Sequence, residues 1–312
     1  MPIVESKAAE PVTAKIEMAR MSAAAPFVHI DLPTLSAALI PVALEAGRIQ
    51  LRHHSAGVAV VTKSDASPVT CADQESEALI LAALARIAPE IPVVAEEEAA
   101  AGRLPSIGRQ FFLVDPLDGT REFIAGRAEF TINIALIEDG IPVFGLVYAP
   151  ATGDFFLTPD KGRAAYACVP TIGRVPQGLS QVEKTSALSA SAFKSIRVRA
   201  ANATALVAVA SRSHMNAETE AFLARYAIVS RQQAGSSLKF CLLAKGEADV
   251  YPRLGRTCEW DTAAGHAILA AAGGQVVKLD GTQLQYGKAS AHYANPNFIA
   301  WGGPPLPPIQ KR

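Results

Sequence analysis

The sequence predicts a mixed α/β protein built in two blocks, and three patterns carry that expectation. Several stretches repeat apolar residues at helical spacing, and short apolar runs of strand character stand between them. Residues 168–204 are rich in Pro, Gly, Ser and Ala with few bulky apolar side chains, which suits a boundary or a long surface connection. A chain of 312 residues, 50% of them apolar, can bury a large core, and its length fits about two domains. The expected division is a loose tail over 1–30, an N-terminal α+β domain over 31–175 and a C-terminal α/β domain over 176–308.

Composition narrows the function classes. The chain has 29 Lys and Arg against 29 Asp and Glu, so no overall basic excess points to nucleic acid or to an anionic membrane surface. Cys71, Cys168, Cys241 and Cys258 are far apart and form no C-x-x-C pair, against a zinc knuckle or a redox dithiol. Reduced thiols in a cytoplasmic protein are expected. No apolar run approaches the roughly 20 residues that span a bilayer, and the N-terminus, interrupted by Glu5, Glu10 and Glu17, lacks the apolar core of a signal peptide. The cytoplasm is the expected location, with peripheral contact at the inner membrane compatible with the composition. A monomer or a homodimer is expected.

In order along the chain, Leu39, Val42, Ala46 and Ile49 recur at helical spacing from Leu35, with Thr34 as N-cap and Pro41 as an interior bend. The adjacent His53 and His54 have no further ligand-spaced partner and read as a helix end. Val58–Val61 is a short strand. Ala78, Leu81, Leu84 and Ile87 give a second helix over about 74–88, with Asp73 as its cap. Ile91–Ala95 leads into Glu96-Glu97-Glu98. Phe111–Val114 is a buried strand, and 130–137 with 142–148 form a hairpin around Glu138-Asp139-Gly140. Asp154–Leu157 and Ala164–Ala167 add a short pair. The second block alternates strands at 206–210, 228–229, 248–251 and 274–277 with helices at 217–226, 235–243 and 262–272.

The chemistry gathers where elements end. Asp115-Pro-Leu-Asp118-Gly119-Thr120 puts two carboxylates on a sharp turn after a strand, which suits an oxygen-seeking cation such as Mg²⁺. The N–H groups of Gly119 and Thr120 then open a helix, the end that attracts anions. Asp65, Glu96 with Glu97, and Asp261 also stand at predicted element ends. A two-metal site, with ions about 3.5–4 Å apart, needs about this many carboxylates.

Taken together, Glu96-Glu97, Asp115-Pro-Leu-Asp118-Gly-Thr120 and Trp260-Asp261-Thr-Ala-Ala-Gly265 resemble the lithium-sensitive, Mg²⁺-dependent phosphomonoesterases of the inositol monophosphatase superfamily, in order over residues 34–300. Lys63–Thr70, Phe130–Ile137, Ser211-Arg-Ser-His214, Gly235-Ser236-Ser-Leu-Lys239 and Glu259-Trp-Asp261 resemble its 3'(2'),5'-bisphosphate nucleotidase branch. That resemblance implies a layered α-β-α-β-α sandwich. It also implies removal of the 3'-phosphate from 3'-phosphoadenosine 5'-phosphate, or its sulfated form, a reaction tied to sulfate assimilation. It further implies that Glu96, Asp115 and the Leu117 carbonyl hold one Mg²⁺ and that Asp115, Asp118 and Asp261 hold a second. A third, weaker ion would sit near Glu96, while Asp65 and Thr120 orient the attacking water. Gly119, Thr120, Ser211, His214, Gly235, Ser236, Lys239, Arg253 and Asp261 would contact substrate. The rival expectations are an inositol or sugar monophosphatase and a nucleotide sensor that does not hydrolyse.

Overall fold

In the computed structural model, residues 27–56, 60–62, 68–169, 192–211 and 215–309 are described. The expected tail over 1–30 falls mostly outside them. The first helix, α1 (Leu32–Ala56), buries Leu32, Leu35, Leu39, Ala43 and Ala46 along one face. It begins three residues before the expected Leu35. The cap is Asp31, not Thr34: Asp31 Oδ2 accepts the Thr34 N–H at 3.0 Å. Pro33 then falls in the first turn, where its missing N–H costs nothing. The helix continues through Pro41, which lies on its exposed face. By length and composition α1 could cross a membrane, contrary to the sequence expectation, but 50% of its most apolar window is buried inside the protein.

A two-stranded ribbon, β1 (Val60–Thr62) with β2 (Pro68–Thr70), precedes α2 (Cys71–Ile87). Thr70 and Asp73 form a capping box, Thr70 N donating to Asp73 Oδ2 at 2.8 Å. The buried face of α2 is Ala72, Asp73, Ser76, Glu77, Ile80, Ala83 and Leu84. The expected apolar stripe is therefore rotated: Ala78 is exposed, while Leu81 and Ile87 are half-buried. Polar residues hold positions that periodicity reserves for apolar ones, because Asp73 and Glu77 on this face meet Thr120 and the backbone at the start of the next helix.

Then come β3 (Val93–Ala95), α3 (Glu96–Ala100), β4 (Gln110–Asp118), α4 (Thr120–Ile124), β5 (Thr131–Glu138), β6 (Ile141–Ala149), β7 (Asp154–Asp160), β8 (Arg163–Cys168) and β9 (Lys194–Ile196). Strands β3 to β9 form a seven-stranded sheet in sequence order, antiparallel except for the parallel β3–β4 pair. Asp139 and Gly140 turn the β5–β6 hairpin at φ 49° and 76°, the primed geometry that matches strand twist. The C-terminal part comprises β10 (Leu206–Ala210), α5 (Ala217–Leu223), β11 (Ile228–Gln233), α6 (Leu238–Ala244), β12 (Val250–Arg253), α7 (Ala263–Ala271), β13 (Gln275–Lys278) and β14 (Phe298–Trp301). Its sheet order is β11-β10-β12-β14-β13.

Side-chain alternation along β4 shows the layering. Phe112 and Val114 pack with Leu39 of α1 and Ile80 and Leu84 of α2. Phe111 and Leu113 face the other way, onto Phe240 of α6 and Ile268 and Leu269 of α7. Those two helices also meet Tyr251, Phe298 and Ala300 of the smaller sheet, whose outer face packs on Phe222 and Leu223 of α5. The result is the expected α-β-α-β-α sandwich. Burial on both faces explains why β4 and β5 are nearly continuous apolar runs.

Candidate active site

The cavity is organised by the end of β4. Asp115 lies opposite Asn133 and Asp118 opposite Thr131, so Pro116 and Leu117 together face Ile132 alone. This bulge turns both aspartates to the same space. It is pinned by Gln50 Nε2 of α1, which donates to the Pro116 carbonyl at 2.6 Å, and by Leu117 N, which donates to Asp115 Oδ1 at 3.0 Å. Gly119 follows at φ 96°, and a Cβ there would lie 2.8 Å from the Glu129 carbonyl oxygen. Only glycine fits. The Thr120 hydroxyl is 3.2 Å from the Leu117 carbonyl oxygen and 3.3 Å from Asp73 Oδ1. Asp73 is thus more than the helix cap the sequence suggested: one oxygen caps α2 and the other reaches Thr120.

Glu96 reaches the same place because β3 runs parallel to β4, with Ala95 beside Val114. The strands' carboxyl ends lie side by side, and Glu96 and Asp115 interact. The register of the three glutamates follows from their partners. Glu97 N and Glu98 N donate to the Glu77 carboxylate at 2.8 and 2.9 Å, and the exposed Glu98 carboxylate forms a fork with Arg103, both bonds 2.7 Å. Glu96 alone of the three lines the cavity.

The C-terminal part supplies the facing wall. Asp261, just before α7, accepts the Cys258 N–H at 2.8 Å. Gly235 brings the chain against the β4–β5 connection, since a Cβ there would meet Glu129 Cβ at 2.8 Å. Ser236, in the left-handed region at φ 54°, donates its hydroxyl to Asp118 Oδ2 at 2.7 Å. Lys239 Nζ bonds the Ser236 carbonyl and sits 5.3 Å over the Tyr251 ring. Lys239 therefore braces this turn beside Asp118 while lining the same cavity. Asn133 closes the network, accepting from Ser237 Oγ at 2.7 Å and reaching Asp118 Oδ2 at 3.4 Å.

These groups enclose one cavity of about 730 Å³, lined by Glu96, Asp115, Leu117, Asp118, Gly119, Thr120, Ser211, Gly235, Ser236, Lys239, Arg253 and Asp261. Of the predicted site residues, Asp65 and His214 lie outside the described residues. Arg253 donates to the Arg256 carbonyl at 2.8 Å, while its buried Nε has no hydrogen bond among the described residues. Sequence reasoning missed Asp73 as a site residue and overlooked Glu77 and Asn133. The available signal was the spacing of Asp73 and Glu77, two acids four apart on the helix face that should have been apolar. The histidine pair is structural: His53 Nε2 is 3.0 Å from Glu75, and the His54 ring packs on Phe123 and Phe130 at 5.2 and 5.3 Å.

The electrostatics are those of a crowded acidic site. Burial, together with the charges of Glu96, Asp118 and Asp261, holds the Asp115 carboxyl well above the usual range. Burial, Asp118 and Glu96 do the same to Asp261. Asp118 is raised by burial, against the opposing charge of Lys239 and the Ser236 hydroxyl. Burial pulls Lys239 down to about 8 although Asp118 opposes it. Among the described residues, no three His, Cys, Asp or Glu side chains close on a common point as they stand. The clustered acids nonetheless fit a hard divalent cation: anionic oxygens and a nearby backbone carbonyl, with repulsion that an ion would relieve.

Comparison with known proteins identifies the family. The model of the Inositol monophosphatase family matches residues 31–302. The 3'(2'),5'-bisphosphate nucleotidase CysQ of Shigella flexneri is 40% identical over 239 residues, covering 77% of this chain and 87% of that protein. The CysQ of Escherichia coli K12 is 39% identical over the same shares. The crystal structure of CysQ from Bacteroides thetaiotaomicron superposes with a TM-score of 0.65 at 34% identity, covering 86% of this chain and 97% of that one. An IMPase from Thermotoga maritima, 24% identical, shares the fold at a TM-score of 0.63, covering 85% and 90%. With its acidic cavity, its five layers and these relatives, the chain belongs to the inositol monophosphatase family.

Proposed function

We propose that this protein is a Mg²⁺-dependent phosphomonoesterase that hydrolyses the 3'-phosphate of 3'-phosphoadenosine 5'-phosphate or its sulfated form, yielding AMP and phosphate from the former. The observation that carries the reading is one cavity that joins the acidic cluster to Arg253. The acids suit the metals and the reacting phosphate, and the Arg253 guanidinium on the same wall suits a second phosphate that a sugar monophosphate lacks. Relatives named as bisphosphate nucleotidases support this choice.

Glu96, Asp115 and the Leu117 carbonyl would hold one ion, Asp115, Asp118 and Asp261 a second, and a third would sit near Glu96. When bound, Mg²⁺ supplies a water of lowered pKa and neutralises charge on the phosphate. The chain's own groups do the rest. Asp73 accepts a hydrogen bond from the Thr120 hydroxyl, which leaves a Thr120 lone pair free to accept from the attacking water and aim it. The Gly119 and Thr120 N–H groups bind the phosphate oxygens as charge moves onto them. Ser211, Gly235, Ser236 and Lys239 would form the nucleotide face, to which the sequence resemblance also assigns His214, and Arg253 would bind the phosphate that is not cleaved. The four cysteines are free thiols, in keeping with the cytoplasm as the place of action.

Phosphate release from 3'-phosphoadenosine 5'-phosphate, inositol 1-phosphate, fructose 1,6-bisphosphate and 5'-AMP tests the assignment. Preference for the first, dependent on Mg²⁺, is expected. Preference for inositol 1-phosphate or fructose 1,6-bisphosphate would favour the sugar-phosphatase alternative, and release from none would leave a binding protein.

A further inference from the structure

The acidic cavity depends on two pieces of chain that are not neighbours in sequence: α3, which carries Glu96, and the β4–α4 turn, which carries Asp115, Asp118 and Thr120. One face of α2 touches both. Asp73 reaches Thr120, and Glu77, one turn further on and on the same face, takes two N–H groups from the start of α3. The first-turn N–H groups of a helix have no partner within it. In α3 the residue that would ordinarily cap them is Ala95, which has no side-chain acceptor. Glu77, only 3% exposed, reaches across from another helix and accepts from Glu97 N at 2.8 Å with one oxygen and from Glu98 N at 2.9 Å with the other.

A local Ser or Asp cap would satisfy those donors equally well, but it would tie α3 only to itself. A cap supplied by α2 fixes the backbone beside Glu96 relative to the helix that also holds Thr120. We infer that Glu77 is a positioning residue for the metal centre, setting the place of Glu96 against the Asp115–Thr120 turn through its two backbone bonds. The inference rests on the Mg²⁺ reading above and concerns how this chain builds that site. Partners of this kind, which orient a ligand without touching the ion, are each worth about ten- to a hundredfold in metal affinity.

The test measures Mg²⁺ binding itself, by calorimetric titration of the full chain with MgCl₂, at a temperature where circular dichroism shows each variant folded. Glu77→Gln keeps the shape but turns an amide N–H₂ toward one of the two donors. Glu77→Asp keeps the charge but is shorter by one carbon, about 1.5 Å, and cannot span both N–H groups. Both should bind Mg²⁺ about ten- to a hundredfold more weakly than wild type. Leu84→Ala, a core change on the same helix with Leu84 fully buried, should lower the melting temperature and leave Mg²⁺ affinity unchanged. If Glu77→Gln does not fold, Glu77→Asp carries the test. Wild-type affinity in Glu77→Asp would show that charge matters and reach does not, which overturns the positioning role. Equal weakening in Leu84→Ala would overturn it too, by reducing it to lost stability. Absence of Mg²⁺ binding by the wild-type protein would instead fell the metal reading, and this inference with it.

Discussion

Asp118 and Asp261 face each other across the cavity from different halves of the chain, and each carries more charge than its surroundings comfortably hold. Asp118→Asn or Asp261→Asn should therefore abolish Mg²⁺-dependent hydrolysis without unfolding the protein, because either removes an anionic ligand while relieving like-charge repulsion. Retained activity at ordinary Mg²⁺ would refute their role as ligands. Arg253 poses a different question. Its loss removes charge-assisted bonds, each worth about 1.5–3 kcal/mol, so Arg253→Ala should raise KM for 3'-phosphoadenosine 5'-phosphate about ten- to a hundredfold and change kcat little. A substrate lacking the 5'-phosphate should be indifferent to the change. If both substrates suffer alike, or neither does, Arg253 does not read the second phosphate.

The central helices set the spacing between the two sheets, and Gly145 shows how tightly. A Cβ at this position of β6 would lie 2.2 Å from the Ala264 carbonyl oxygen and 2.9 Å from Ala267 Cβ, both on α7. Gly145→Ala should force α7 away and cost about 1–3 kcal/mol, and because Asp261 stands just before α7, Mg²⁺ affinity should fall with it. Thermal melting with and without Mg²⁺ checks both effects; an unchanged melting temperature would mean the helix yields freely. What could be read in the sequence at this scale was whatever is local. The apolar run of β4 and the Asp-Gly turn after it declare themselves because burial on two faces and a left-handed residue each demand particular residue types. The polar, buried face of α2 does not, since Asp73 and Glu77 owe their burial to Thr120 and α3, 47 and 20–21 residues away. Strand β9, three half-buried or exposed residues, is visible only once β8 is there to pair with it.

For the molecule as a whole, two sets of buried groups pull stability in opposite directions with pH. His266, packed beside Tyr286 with its Nδ1 3.0 Å from the Tyr286 hydroxyl, is held down to about 3 by burial. It titrates near 6.5 when unfolded, so the stability it contributes is intact above that value and is lost as pH falls from about 6.5 toward 3. Asp115, Asp118 and Asp261 behave oppositely: their folded carboxyls lie above the ordinary 3.8, so their contribution is present below 3.8 and is lost as pH rises through the raised values. In the metal-free protein the repulsion among these carboxylates therefore grows as pH rises, and Mg²⁺ can relieve it. Mg²⁺ must displace protons from these carboxyls, so its binding strengthens as pH rises, and a ligand at free concentration c that binds only the folded state stabilises it by RT ln(1 + c/Kd), which raises the melting temperature more as binding tightens. The rise in melting temperature on adding a fixed concentration of Mg²⁺ should therefore grow as pH rises through the raised carboxyl range. Asp261→Asn should reduce both the rise and its dependence on pH, having removed one of the protons to be displaced. Melting curves at four or five pH values, with Mg²⁺ and with chelator, decide the matter: a shift that does not vary with pH would mean that the ion binds elsewhere and that the cavity acids are not its ligands.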